Sequence, residues 1–323
     1  MSPADAEIHL DPGALAAQMA RDVRDGLTRI PRTLAPKYFY DARGSELFDQ
    51  ITRLPEYYPT RCERAILEAR ADEIAEVSRA ETLVELGSGT SEKTRLLLRA
   101  LTRKGLLRRF VPFGVDPAVL EGATGAVAAE FSTLEVQPVV GDFEQHLAQL
   151  PRHPRRLLAF LGSTIGNLDP TTRAAFLLDV RSALGPGDAF LLGTDLVKDP
   201  GRLVAAYDDA EGVTAAFNKN VLTVLNRELQ ADFDLDAFEH RAVWDAEREW
   251  VEMRLESRRE QRVRLAQLDL QVALAAGEQL RTEISAKFRR EGVVDELAAA
   301  SLTMTHWWTD PDGDFALSLS VPA

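Results

Sequence analysis

Three short stretches carry residue types that could do chemistry together. VELGSGTS, Val84 to Ser91, sets Gly87 and Gly89 directly after an apolar run. Glycines there let the backbone approach a ligand closely at the carboxyl end of a strand. FGVD ends on Asp116, and VVGD ends on Gly141 and Asp142 with Phe143 next. A carboxylate at the first place can accept both hydroxyls of a ribose. One at the second can accept an adenine amino group, and the neighbouring ring can pack on the base. Alone, each motif is ordinary: a Gly-x-Gly makes a tight turn and an Asp caps a helix. Three strand-end features in succession point to a nucleoside-bearing cofactor. Lys93, in the first turn after the glycines, is either a partner for a further carboxylate on that cofactor or a solvated surface lysine.

Two more stretches stand out. Pro36 to Arg61, PKYFYDARGSELFDQITRLPEYYPTR, holds Tyr38, Phe39, Tyr40, Phe48, Tyr57 and Tyr58. Aromatics this dense among Pro, Gly and Asp either line a site or pack against the next domain. In TEISAKF, Glu283, Ser285 and Lys287 alternate with Ile284 and Phe288, so one face of that strand is polar and the other apolar. The single cysteine, Cys62, excludes a disulfide framework and a cysteine-ligated zinc site, fits a reducing cytoplasm, and reads as a bystander in a helix. His9, His146, His153, His240 and His306 show no metal spacing, and no metal is expected.

The elements that must position these residues follow from periodicity. Asp11 and Pro12 open a first helix, with Leu15, Met19, Val23 and Leu27 at spacing four. From Glu81, apolar strands alternate with amphipathic helices: ETLVEL, FVPFGVD, EVQPVVGD, RLLAFLGSTIGNL and AFLLGTDL, with a short helix expected at FEQHLAQL. This is the pattern of right-handed βαβ units and a parallel sheet. It breaks after Lys198. Helices come next, then a meander in which Val251, Met253 and Leu255, Val263 and Leu265, and Leu268, Leu270, Val272 and Leu274 alternate with polar residues. The chain ends on a helix, EGVVDELAAASL, and a hairpin, LTMTHWWTD and DFALSLSV. A helix and hairpin closing a five-stranded parallel sheet resemble the class I S-adenosylmethionine (SAM) methyltransferases. Their Rossmann-like α/β sheet has seven strands, the last antiparallel. A nicotinamide-dependent oxidoreductase would end on another parallel strand and carry a third glycine.

The expected domains are a methyltransferase domain over 62–195 plus 287–323 and a second, α+β, substrate-binding domain over 1–61 plus 196–286, with substrate in a cleft between them. The 323 residues carry 38 Lys+Arg against 51 Asp+Glu, a net charge of −13. That balance repels phosphate backbones and anionic membranes. No apolar run reaches membrane-spanning length, and no secretory signal is readable at the N-terminus. The loop GSTIGN, Gly162 to Asn167, lacks the proline pair of amino-directed DNA methyltransferases. A small-molecule substrate, no nucleic acid, no membrane, a cytoplasmic location and a monomer are expected.

The strings YFYDARGSELFDQITRLPEYYPTR, TLVELGSGTSEKTR, FLGSTIGNL, LLGTDLVKD, YDDAEGVTAAFNKNVL and THWWTDPDGDF together closely resemble the histidine Nα-methyltransferases of ergothioneine biosynthesis. The resemblance runs from about Pro36 to the C-terminus. It implies SAM-dependent trimethylation of the α-amino group of L-histidine to hercynine. It further implies that Gly87, Lys93, Asp116, Gly141 and Asp142 hold SAM, with Phe143 against the base. Tyr57, Glu283 and Ser285 would hold the imidazole, Asn167 and Tyr207 the carboxylate, and Tyr40 and Phe48 would sit at the amine as the catalytic candidates. Met253 and Glu283 favour histidine, since an indole has no use for a buried carboxylate and needs more room. The alternative is a related N-methyltransferase acting on tryptophan or another amino acid.

Overall fold

The computed structural model describes residues 6–10, 12–89 and 91–323. Asp11, expected to cap the first helix, lies outside the described residues, as does Thr90. The chain divides into two compact units: Met1–Asp11, Pro59–Val197 and Phe288–Ala323 form one, Pro12–Tyr58 and Lys198–Lys287 the other.

The first unit is built on a sheet whose strands run, in spatial order, Glu7–Ile8, Val139–Val140, Arg109–Gly114, Thr82–Leu86, Arg156–Phe160, Ala189–Asp195, Phe315–Pro322 and Leu302–Thr309. The first six are parallel; Phe315–Pro322 runs antiparallel to both of its neighbours. The strands Thr82–Leu86, Arg156–Phe160 and Ala189–Asp195 are buried along their whole length, which is why they read as continuous apolar runs rather than alternating ones. Helices start where sequence signals place them: Asp116 and Asp169 cap Pro117–Glu130 and Pro170–Ala183, each with proline at the first helical position.

Three details differ from the sequence expectation. The third strand is split into Glu135–Val136 and Val139–Val140, because Pro138 between them has no N–H to give the ladder. Residues 6–10, expected with the second domain, instead lend Glu7–Ile8 to the edge of this sheet, where Glu7 N donates to Pro138 O. FEQHLAQL forms only a short 3-10 turn, Leu147–Gln149, rather than a helix.

The second unit holds a four-stranded sheet in the order Arg32–Thr33, Gln279–Ala286, Trp250–Ser257, Phe238–Asp245, and a separate hairpin of Gln261–Leu265 and Leu270–Leu274. Leu268, expected in that last strand, sits in the 3-10 turn Ala266–Leu268 before it. The register sets Met253 opposite Glu283 and Val251 opposite Ser285. Helix Val213–Glu228 supplies Phe217, Val221 and Leu225 to the core. It also buries two amides: Asn218 donates to His240 Nδ1 and Arg254 O, and Asn220 to Phe39 O and Asp41 Oδ1. Buried amides this fully paired pin the helix to one register rather than merely to a greasy face.

Candidate functional site

In the sheet unit, the strand-end residues gather at the carboxyl ends of neighbouring parallel strands. Gly87 follows the strand Thr82–Leu86 with a φ of +71°, and Ser88 N donates to Phe113 O at 2.8 Å. The turn is held from inside by Glu85, which sequence reasoning missed. Its buried carboxylate accepts from the hydroxyls of Ser88 and Ser91, each at 2.8 Å, and of Thr94. A charged residue inside an otherwise apolar strand was the signal. Asp116 Oδ1 accepts from Ala118 N and Val119 N at 2.8 and 3.3 Å. Among the described residues nothing engages its second oxygen, which is the one an outside hydroxyl could use. Asp142 is buried and accepts from Glu144 N at 2.9 Å and Gln145 Nε2 at 3.3 Å. Phe143 is half-buried, with its ring 5.1 and 5.8 Å from those of Phe160 and Phe176.

Gly141 is dictated by space. A Cβ there would stand 2.7 and 2.8 Å from two atoms of the Phe113 ring, which is itself wholly buried. Gly141→Ala is expected to cost about 1–3 kcal/mol by overpacking, and a thermal midpoint equal to the wild type would refute this.

Lys93 is half-buried. Its ammonium pairs with Glu63, which is fully buried in the helix Pro59–Ser78 and also accepts from Gly162 N at 2.7 Å. Gly162 opens the loop that carries the half-buried Asn167. Elsewhere in this unit, Cys62, Asp310 and Asp314 bring one ligand atom each within 4.8 Å of one another. Asp310 Oδ1 already caps the hairpin turn by accepting from Asp314 N and Phe315 N at 2.8 and 2.7 Å.

In the second unit the aromatic stretch and the strand Gln279–Ala286 come together. Tyr40 meets Phe48 edge-on at 5.6 Å, Phe48 meets Tyr57 at 6.2 Å, and Tyr57 meets Tyr207 at 6.2 Å. Tyr207 Oη and Ser285 Oγ are 2.7 Å apart. Tyr57, Tyr207, Met253, Glu283 and Ser285 are all buried, while Tyr40 and Phe48 are half-buried. The protein around Tyr40 holds its phenol well above the ordinary value, through desolvation first and the nearby negative charge of Glu283 second. Desolvation likewise pushes Glu283 up from the ordinary 4.5 to about 8, against the opposing pull of the Lys287 ammonium. Sequence reasoning also missed the support behind Tyr207. His240, kept neutral mainly by burial, receives from Asn218 Nδ2 on Nδ1 and gives its Nε2 proton to Tyr207 O at 2.8 Å.

Of the expected site residues, Gly87, Lys93, Asp116, Gly141, Asp142, Phe143 and Asn167 thus belong to the sheet unit. Tyr40, Phe48, Tyr57, Tyr207, Met253, Glu283 and Ser285 belong to the other. A mostly parallel sheet with a terminal antiparallel hairpin, a glycine turn after the central strand and acids after the next two define a class I SAM-dependent methyltransferase. The chain belongs to the histidine-specific, SAM-dependent methyltransferase family, whose profile matches residues 19–322. It is 62% identical over 313 residues to a histidine N-alpha-methyltransferase of Mycolicibacterium smegmatis, covering 97% of this chain and 98% of that one. To the protein of the same name from Mycobacterium tuberculosis it is 59% identical with the same coverage. A fission yeast relative, ergothioneine biosynthesis protein 1 of Schizosaccharomyces pombe, is 32% identical over 229 residues, 67% of this chain and 29% of that protein. Among the described residues no helix is long and apolar enough to cross a membrane.

Proposed function

We propose that this chain transfers three methyl groups from SAM to the α-amino group of L-histidine, giving hercynine for ergothioneine biosynthesis. The observation that carries the choice of substrate is the pairing of Glu283 with Ser285, two positions apart on one face of the strand Gln279–Ala286 and walled by Tyr40, Tyr57 and Tyr207. Positions i and i+2 of a strand stand about 7 Å apart. That is the span of one imidazole with a hydrogen bond at each nitrogen. One nitrogen donates and the other accepts, which matches a carboxylate beside a hydroxyl. An indole offers a donor only and would leave the second group unpaired.

The residues of the sheet unit fit SAM. Asp116 keeps an oxygen for the ribose, Asp142 stands at the end of the next strand for the adenine amino group, and Gly141 keeps the backbone of that turn in place. SAM, when bound, supplies an activated methyl on a sulfonium. This chain's residues have to bind, orient and dehydrate the amine, for which proximity is the main lever. The Tyr40 phenol is held neutral, so it serves as a hydrogen-bond donor and not as a phenolate base at neutral pH. The rings of Tyr40 and Phe48 would stabilise the cationic methylated amine by about 0.5–2 kcal/mol through cation–π contact. Tyr207 supplies an uncharged group for the carboxylate.

The decisive measurement is mass spectrometry of L-histidine and L-tryptophan incubated separately with SAM and the purified protein. The expected result is three added methyls on histidine and none on tryptophan. Methylated tryptophan alone would overturn the roles given to Glu283, Ser285 and Met253 while leaving the fold and cofactor intact. The reading includes a cytoplasmic monomer: the single cysteine supports a reducing compartment, and light scattering of the purified protein tests the monomer.

A further inference from the structure

Tyr40 leaves the chain from a very short turn. Asp41 N donates to Phe39 O at 3.1 Å across it, and its φ of −90° and ψ of 60° are those of an inverse γ-turn. One hydrogen bond contributes little net stability, so such a turn holds its central residue loosely unless something braces it. The helix Val213–Glu228 supplies the brace. Asn220 Nδ2 donates to Phe39 O at 3.1 Å and to Asp41 Oδ1 at 2.8 Å. A primary amide has two N–H donors, and here both are spent on the residues either side of Tyr40. Both partners are acceptors, so the amide can face them only with its nitrogen. Asn220 is buried, so water does not compete for those bonds.

The surroundings leave the turn little slack. Asp41 Oδ1 also takes Gly44 N at 2.9 Å, capping the helix Ala42–Ile51 that carries Phe48, and Asp41 Oδ2 takes Arg227 Nη1 at 2.8 Å. A Cβ on Gly44 would run into Phe39 O, so only glycine lets that helix close on the turn. One helical turn before Asn220, Phe217 meets the rings of Phe39, Tyr40 and Phe48 at 4.7, 5.5 and 5.9 Å. Ring packing fills space without fixing a direction; the amide fixes the direction. Among the described residues no hydrogen bond holds the Tyr40 hydroxyl itself, so its aim is set by the turn and the rings. We propose that Asn220 is a positioning residue of the reaction: by gripping both flanks of Tyr40, it aims the Tyr40 hydroxyl at the amine to be methylated. This rests on the placing of Tyr40 at the amine under the proposed function and deepens it. With both donors spent, the amide acts through the turn. A swing of Tyr40 would leave the ring and carboxylate of the substrate bound and misplace the nitrogen alone. The cost then falls on turnover rather than on binding.

The test is steady-state kinetics with SAM and L-histidine on the wild type, Asn220→Leu, Tyr40→Phe and the double variant, with a thermal midpoint for each. Asn220→Leu roughly keeps the volume and removes both donors. It is expected to lower kcat about ten- to a hundredfold, as misplacement of a reacting group does, while KM for L-histidine moves by less than about threefold. Tyr40→Phe leaves no hydroxyl to aim, so in that background the same substitution should cost at most about threefold in kcat. A merely structural asparagine would cost the same factor in both backgrounds, which overturns the proposal, as does an Asn220→Leu variant with wild-type kcat or with its loss confined to KM. Should Asn220→Leu not fold, Asn220→Ser takes its place. One hydroxyl donor serves one flank only, so a smaller loss of the same pattern is expected, and wild-type kcat there refutes the proposal. A wild type that methylates L-histidine beside an indifferent Asn220 variant refutes this inference alone. Failure of the wild type to methylate L-histidine refutes the reading of the site, and this inference with it.

Discussion

Replacing Glu283 by glutamine is expected, at alkaline pH, to remove most L-histidine methylation and to make the protein harder to unfold. The two effects share one cause. Glu283 is buried beside Met253, Tyr40 and Lys287, and desolvation raises its carboxyl from 4.5 to about 8. A group whose folded value lies above its unfolded value binds more protons folded than unfolded throughout that interval. The native state is then favoured at low pH, and that advantage drains away as pH rises from about 4.5 through about 8. The loss accumulates at about 1.4 kcal/mol per pH unit of separation, so it reaches a few kcal/mol. The amide of Glu283→Gln is neutral at every pH. The thermal midpoint of that variant should match wild type near pH 5 and exceed it progressively up to about pH 9, where the difference levels off. Activity moves the other way. Above about pH 8, where Glu283 is ionised, an amide cannot carry the charge that a bound imidazole N–H or imidazolium selects, and losing a hydrogen bond to a charged group costs about 1.5–3 kcal/mol, roughly 10- to 150-fold in kcat/KM measured there. Melting curves that stay parallel across the pH range would mean Glu283 titrates normally. Unchanged kcat/KM for histidine would remove it from the substrate site.

What the sequence disclosed and what it hid divide along the range of the interactions. The parallel strands were legible because burial on both faces writes itself as unbroken runs such as LLAF and AFLL. The glycine turn and the two acids, Asp116 and Asp142, were legible because each sits immediately after such a run, and Asp116 also precedes a proline. The edge strand Glu7–Ile8 was not: two exposed residues have no periodicity, and only the neighbouring strand Val139–Val140 makes them a strand. Pro138 could have warned that the third strand would break, since proline interrupts a ladder wherever it stands. The polar face of TEISAKF was visible as alternation, but not which way it faced. That answer lies in a cross-strand register pairing Glu283 with Met253, thirty residues away along the chain, and in rings from the far N-terminal stretch. Pairings between distant segments leave no local mark.

Glu63 is the hardest case, and its removal carries the largest expected loss of stability. In TRCERAILEARADEIAEV it is one of several acids on an amphipathic helix, and every local rule reads it as solvent-facing. The fold buries it completely, pairs it with the Lys93 ammonium and gives it the Gly162 N–H. Glu63→Ala would leave a partly buried cation and an amide donor without their acceptor. Removing one partner of a buried pair costs about 3–5 kcal/mol, which corresponds to a fall of roughly 10 °C in the thermal midpoint of the sheet unit. Glu63→Gln keeps an acceptor for Gly162 and should fall less. Adding Lys93→Met to Glu63→Ala removes the stranded charge, so the double variant should be more stable than Glu63→Ala alone, a non-additivity that only coupled partners show. The same comparison bears on SAM. If Lys93 serves the methionine carboxylate, its pairing with Glu63 fixes where that charge waits. Glu63→Gln should then change SAM affinity more than L-histidine affinity, measured by calorimetry on each ligand separately. A single Ala variant that melts with the wild type, or a double variant no more stable than the single, would show that the pair does not hold this corner of the fold.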